Sequence, residues 1–211
     1  MSRATQCPGC GAPVTFRFAQ AVQASCPYCN SVLVRTDVDV ERVGEVAALP
    51  PDPSPIQLYT EGIAGNRAFV VVGRITYQYE QGLWNEWHLL FHDNTTGWLA
   101  DAQAQYALST LVPAPPNLPA RNKLKVGQTF QWPQGAFTLT HLTVAKYVGF
   151  EGELPFSTQG RHEDTLFADL KSSTAAFATI DYSEQPPLLF MGRVVAFDDL
   201  RLKNLKQFEG W

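Results

Sequence analysis

The sequence predicts a mostly β protein, and three observations support this fold class. Of the 211 residues, 45% are hydrophobic and 17% charged, which is typical of a globular chain. Aromatic residues make up 12%, and glycine and proline occur 15 times each, a mixture that favours short strands joined by turns. All four cysteines stand near the N-terminus. We therefore expect an N-terminal module held together by its cysteines, followed by two small antiparallel β-sheet or half-barrel units.

The cysteines have the spacing of a metal site. They form two Cys-x-x-Cys pairs separated by fifteen residues: Cys7, Cys10, Cys26 and Cys29. This pattern indicates a four-thiolate zinc site, because two intervening residues let the chain turn back so that both sulfurs reach one ion. Gly11 and Asn30 follow the two pairs and tolerate the left-handed backbone of such a turn. Four protein thiolates leave no position for water, so we predict a structural Zn²⁺ in a zinc ribbon.

Composition and alternation divide the chain into five segments. They are a zinc ribbon (1–35), an acidic proline-rich linker (36–55), a first β unit (56–112), a second β unit (113–195) and a C-terminal tail (196–211). The two β units share an outline, since each has a short strand, a turn and a long strand led by Phe69 or Phe137. A duplication would explain this likeness. Leu202, Leu205 and Phe208 would share one face of a short basic helix in the tail.

Charge and hydropathy exclude several classes of function. The net charge is −4, whereas a duplex-binding module has a dense basic face, so we do not expect a nucleic-acid partner. The sequence has no run of eighteen apolar residues and therefore predicts no transmembrane segment. The N-terminus lacks the apolar core of a secretion signal, so we expect a cytoplasmic protein whose thiols stay reduced.

Candidate binding residues lie in two strands and one strand end. Trp84 and Glu86 share a strand face, with Trp87 opposite, and Trp98 follows in the next strand. An aromatic ring beside a carboxylate indicates a peptide-binding or cation-binding spot, and core packing is the alternative interpretation. The remaining candidates, which also share a face and suit a substrate or a cation, are Glu151 and Glu153. The sequence shows no recognisable catalytic constellation.

Several motifs of the body together resemble a known family. These are Val72-Gly73-Arg74-Ile75, Trp84-Asn85-Glu86-Trp87, Gly97-Trp98-Leu99, Glu151-Gly152-Glu153-Leu154-Pro155 and Phe190-Met191-Gly192. Over residues 55–195 the chain resembles the domain-of-unknown-function family 4178, in which an N-terminal zinc ribbon is a common companion. The resemblance implies a bacterial accessory protein in a membrane-associated stress-response or polyamine-linked system. It supplies no catalytic residues.

Two functional hypotheses follow. The first is a non-enzymatic binding or adaptor protein with a structural zinc site, a protein partner and a place in a peripheral membrane-associated complex. The second is a hydrolase or transferase whose site lies between the two β units and uses Glu151, Glu153, His141 or His162. Convergence of these side chains in one pocket would favour the enzyme, and dispersal would count against it.

Overall fold

A computed structural model describes residues 3–36, 40–160, 164–174 and 176–208, and over this part the chain is mostly β. Its helical pieces are two short 3-10 turns, Arg121–Lys123 and Asp198–Leu200. The strands are β1 (Arg3–Gln6), β2 (Pro13–Phe16), β3 (Gln23–Ser25), β4 (Ser31–Arg35), β5 (Val40–Glu45), β6 (Glu61–Ala64), β7 (Arg67–Tyr79), β8 (Gly82–Phe91), β9 (Thr96–Ala102), β10 (Gln105–Val112), β11 (Thr129–Trp132), β12 (Gly135–Leu154), β13 (Thr165–Ser172), β14 (Ala176–Asp181) and β15 (Leu188–Val195).

Among the described strands, eight close into an antiparallel barrel. Strands β7, β8, β9 and β10 pair in sequence, and so do β12, β13, β14 and β15. Pairing of β10 with β15 joins the two groups along one seam. Pairing of β12 with β7 joins them along the other and completes the ring. Closure leaves no free edge among these eight strands.

The two β units predicted from the sequence are two meanders of the same design. Within the described residues each has a short strand, a long strand and three further strands, β6 to β10 and β11 to β15. Phe69 begins the buried part of β7, and Phe137 has the same place in β12. The repeated strand order is what a duplication predicts. The units do not pack face to face, however, because they share one closed sheet.

A glycine at each seam lets the two meanders approach. At the β10–β15 seam, a Cβ on Gly192 would lie 1.8 Å from the carbonyl oxygen of Leu108. At the β7–β12 seam, a Cβ on Gly73 would lie 2.2 Å from the carbonyl oxygen of Glu153. Gly73 also lies at a register shift between β7 and β8, where a glycine lets the sheet bend. Any side chain at these two positions would push the paired backbones apart.

Each meander buries an apolar face on the outside of the barrel. The first covers Phe69, Trp87 and Leu89 with Ile56 and the C-terminal Leu200. The second packs a comparable cluster around Phe137, Leu139 and Leu170, covered in part by Leu118 and Leu124 from the connection between the meanders. The alternate residues of the same strands point to the interior of the barrel, because side chains in a strand change face at every residue.

The N-terminal module extends the barrel sheet. Its strands β3, β4 and β5 pair in order, and β3 also pairs with the end of β12, where Ala24 lies opposite Glu153. The β1–β2 hairpin forms a separate small sheet. Phe16 and Leu33 are fully buried in the module's own core. Strands β2 and β3 lie between the two cysteine pairs, and β4 follows the second pair.

The segment interpreted as an extended linker is docked rather than free. Val40–Glu45 forms strand β5, Ser54 is buried, and Ile56 is fully buried against the first meander. Part of the predicted linker, 37–39, lies outside the described residues. Proline rigidity fits this role, since a pre-extended chain loses little entropy when it lies along a surface.

The helix predicted in the tail is wrong. Only the 3-10 turn Asp198–Leu200 forms, and Arg201 and Asn204 have left-handed backbone that ends helical structure. Leu200 and Leu202 pack on the first meander, and Lys203 pairs with Glu61 through backbone hydrogen bonds. The tail therefore docks on the body of the same chain.

We predict that Gly192→Ala destabilises the barrel by about 1–3 kcal/mol, because the new Cβ overlaps backbone atoms that cannot rotate away. Chemical denaturation followed by tryptophan fluorescence measures the effect. Gly44→Ala is the control, since a Cβ there meets nothing within 4 Å. Equal stability of the two variants would contradict this account of the seam.

Candidate metal centre and barrel cavity

The four cysteine sulfurs converge at one point. All four sulfur atoms, of Cys7, Cys10, Cys26 and Cys29, lie within 4.8 Å of one another. The Cys7–Cys29 and Cys10–Cys26 sulfur pairs are 3.7 and 3.8 Å apart, far beyond the length of a disulfide, about 2.05 Å. An ion with tetrahedral metal–sulfur bonds of about 2.3 Å holds its sulfurs about 3.8 Å apart. The arrangement therefore fits a metal ion held by four thiolates.

The two cysteine pairs have the same local backbone. The amide of Gly11 donates to the carbonyl of Cys7, and the amide of Asn30 donates to the carbonyl of Cys26. Both turns end in left-handed backbone, with φ of 75° at Gly11 and 56° at Asn30, as the sequence predicted. The hydroxyl of Ser31, 3.1 Å from the Cys29 sulfur, lowers the pKa of that thiol and so favours the thiolate.

Glu153, a candidate binding residue, fastens the N-terminal module to the barrel. Its two carboxylate oxygens accept hydrogen bonds from the amides of Arg17 and Phe18, each 2.8 Å long. The side chain is buried, and burial raises its pKa although these two amides lower it. On the other side of β12, the ring of His88 donates from Nδ1 to the carbonyl of Glu153. Both carboxylate oxygens of Glu153 therefore accept hydrogen bonds from the N-terminal module.

Glu151 belongs to a separate network on the outside of the barrel. Its carboxylate lies 2.9 Å from Nε of Arg74, a buried cation whose guanidinium also pairs with Asp52 at 2.5 Å. Asp52 comes from the proline-rich segment and also accepts from Asn85. Ser54 of the same segment donates to Asp101. These bonds hold the segment on the barrel, so Glu151 and Glu153 do not form a joint site.

The barrel encloses a cavity of about 320 Å³ that every one of its eight strands lines. Trp84, Glu86 and Trp98, three of the predicted binding residues, all line it. Trp84 and Glu86 share a face, and Trp87 lies opposite in the outer core, as strand alternation requires. The structure thus directs this aromatic and carboxylate pair into the barrel rather than onto the outer surface.

Aromatic rings form much of the cavity wall. Trp84 stacks on Tyr77 with centroids 5.1 Å apart and meets Phe167 edge to face at 5.4 Å. Trp98 stacks between His88 and Phe156, with centroids 4.9 and 5.9 Å away. These contacts fix the rings in single orientations, so the wall is preformed.

Glu86 is the cavity residue with the most perturbed acid–base behaviour. Burial in the barrel raises its pKa to about 8, and the charges of Asp169, Asp181 and Asp101 add to the effect. A hydrogen bond from the indole Nε1 of Trp84, at 3.2 Å, opposes the shift. The side chain lines the cavity and is not fully buried. At neutral pH without a ligand, the carboxyl group is therefore mostly protonated.

Asp169 and Asp181 also line the cavity, and the sequence analysis did not find them. Burial raises the pKa of Asp169, whose carboxylate accepts from Thr179 at 2.7 Å. Both acids stand on strands whose other face is apolar, for example Leu166 and Leu170 beside Asp169. An acid on the polar face of a strand indicates solvent when it is seen in sequence alone. Only closure of the barrel turns that face inward.

The residues of the enzymatic hypothesis are dispersed. His141 lines the cavity, but Glu151 and Glu153 make the contacts described above. His162 lies outside the described residues. Among the residues that the structure describes, the set therefore does not meet in one pocket.

The fold and its sites define the protein as an antiparallel β-barrel with an internal cavity. A module with four clustered cysteines pairs with the end of β12. The model of the family described as a domain of unknown function, DUF4178, matches residues 61–197, which span both meanders. The chain belongs to this family. Comparisons with curated proteins and with solved structures gave no match. In the described part of the chain, no helix is long and apolar enough to span a membrane.

We expect one metal ion per chain in the purified protein, measured by mass spectrometric elemental analysis. Cys26→Ser removes a buried ligand and should reduce the metal content to near zero. Tyr28→Ser is the matched control, because Tyr28 lies in the same turn and is 67% exposed. A metal-free wild-type protein would contradict the assignment.

Glu153→Gln should loosen the module from the barrel. An amide has one acceptor oxygen, so one of the amides of Arg17 and Phe18 would lose its partner at a cost of about 1–3 kcal/mol. Hydrogen exchange should become faster at those two amides, as measured by mass spectrometry or NMR. Glu151→Gln, which alters a half-buried carboxylate two residues away, should leave their exchange unchanged. Equal exchange in the two variants would show that the carboxylate does not hold the module.

Proposed function

We propose that the protein is a non-enzymatic binding protein that takes a small molecule into its barrel cavity and uses its four cysteines to hold a structural zinc ion. One observation carries the proposal: all eight barrel strands contribute to a single aromatic-lined cavity of about 320 Å³. This volume is at the lower end of the range of small-molecule sites, which are typically concave, mostly apolar and supplied with a few polar groups.

The geometry of the wall supports binding. Trp84 and Trp98 present large apolar faces, and their neighbours hold them in place at both sides. A preformed wall loses little side-chain entropy when a ligand enters. Small residues make the space, since Ala100 lies directly opposite Glu86 in the β8–β9 pair and Ala107 lines the cavity nearby.

Zinc is the ion that the cysteine cluster favours. Four thiolates at tetrahedral separations suit Zn²⁺, which has no ligand-field preference and binds sulfur well. A site closed by four protein ligands offers no position for a substrate. Zinc therefore stabilises the module, and the module in turn fixes the end of β12 through Glu153.

Two ring contacts connect the N-terminal module to the cavity wall. Phe18 of the module meets the ring of His88 edge to face at 5.3 Å, and His88 stacks on Trp98, which lines the cavity. An accessory role in a membrane-associated or polyamine-linked bacterial system, as the family resemblance implies, is compatible with a small-molecule receptor. A protein partner would then respond to the liganded form.

Filling the cavity tests the proposal. Isothermal titration with phenethylamine, 2-phenylethanol and phenylacetate, three probes of one shape and different charge, should show saturable one-to-one binding of at least one probe. Ala100→Phe should abolish that binding, because the added ring occupies the space beside Glu86. Ala48→Phe adds the same ring at an exposed position and should leave binding intact. If none of the three probes binds the wild-type protein, the proposed function is wrong.

A further inference from the structure

We propose that the ligand of the barrel cavity is an organic ammonium ion, with its charged nitrogen beside Glu86 and its apolar body against Trp84 and Trp98. This inference rests on the proposed function and specifies the class of the ligand. It follows from the charges, the rings and the symmetry of the cavity wall.

The charge of the wall is negative once its acids are ionised. Among the described lining residues, three carboxylates, Glu86, Asp169 and Asp181, face one lysine, Lys171, and one histidine, His141. Lys171 and His141 act on Asp169, whose pKa their charges lower. Among the described residues of the wall, no lysine or arginine pairs with Glu86, and an organic cation would supply that charge.

Glu86 has spare acceptor capacity. One oxygen, Oε1, accepts from the indole of Trp84, which leaves the second oxygen available to a donor in the cavity. An ammonium group offers N–H donors and a positive charge together, and a charge-assisted hydrogen bond of this kind is among the stronger ones. The aromatic faces next to Glu86 also attract cations through their π electrons.

The arrangement occurs in both meanders. The third strand of the first meander, β8, carries Trp84 and Glu86 two residues apart, and the third strand of the second meander, β13, carries Phe167 and Asp169 at the same spacing. All four side chains line the cavity, and the rings of Trp84 and Phe167 touch. An aromatic and an acid thus stand at equivalent places on the two sides of one cavity. Because both meanders direct an acid into the cavity, exposure to bulk solvent does not explain the presence of Glu86 and Asp169.

A bare metal ion fits this wall less well. Hard divalent cations require several oxygens around one point. Within the described residues, the cysteine group is the one cluster of three or more potential ligands close enough to share an ion. The cavity carboxylates do not form such a cluster and stand among aromatic side chains, which suits a cation with an extended organic body.

The three probes introduced above also test the charge preference. By titration at pH 8, phenethylamine should bind at least tenfold more tightly than 2-phenylethanol and phenylacetate. Glu86→Gln should weaken phenethylamine binding about tenfold or more and leave 2-phenylethanol unaffected. Glu61→Gln, which removes an exposed carboxylate outside the cavity, should bind like the wild-type protein.

The pH dependence gives an independent readout. An ammonium ion must displace the proton that Glu86 carries below its pKa of about 8, whereas the amine itself stays charged until about pH 10. Phenethylamine affinity should therefore rise about fivefold from pH 7 to pH 8. The charged groups that face or influence Glu86 from other strands are Asp101, Asp169, Asp181, Lys171 and His141. They are the same in the wild-type protein and in Glu86→Gln, so this substitution should strongly reduce the pH dependence of phenethylamine affinity.

The outcomes separate the two proposals. Tighter binding of 2-phenylethanol or phenylacetate than of phenethylamine would overturn the ligand class and leave the cavity as a binding site. Failure of all three probes would overturn both proposals. If Glu86→Gln does not fold, as judged by circular dichroism, the ranking of the three probes on the wild-type protein decides, and a phenethylamine affinity no higher than that of 2-phenylethanol would count against the inference.

Discussion

Strand β12 is the element on which the rest of the structure depends. Its first part pairs with β11 and β13, its middle closes the barrel against β7, and its end pairs with β3 of the cysteine module. One strand of twenty residues thus pairs with four other strands. The close contact of Gly73 with the Glu153 backbone makes this possible, because a side chain at that point would separate β7 from β12. Barrel closure, docking of the module and the cavity follow from that contact.

The family motifs gain a physical meaning from this arrangement. Gly73 and Gly192 lie at the two seams where the meanders join. Trp84 and Glu86 line the cavity, and Glu153 holds the cysteine module. The motifs therefore mark the closure of the barrel and the character of its interior.

The N-terminal module contacts the wall of the cavity through aromatic rings. Phe18 touches His88, and His88 stacks on the cavity residue Trp98. His88 is fully buried, and its burial lowers its pKa to about 4, so the ring stays neutral at physiological pH and serves as a rigid spacer. Packed rings thus connect the N-terminal module to the wall of the cavity. A polar histidine suits this place because its Nδ1 donates to the carbonyl of Glu153.

The sequence by itself determined the β class, the four-cysteine cluster with its left-handed turns and the shared face of Trp84 and Glu86. All of these depend on local spacing or on strand alternation, which a sequence displays directly. Only the tertiary structure decided that this face points into a closed barrel, that Asp169 and Asp181 join it, and that Glu153 binds backbone amides of the module. These outcomes depend on pairing between strands far apart in the chain, and alternation marks two faces of a strand without saying which one closure will enclose.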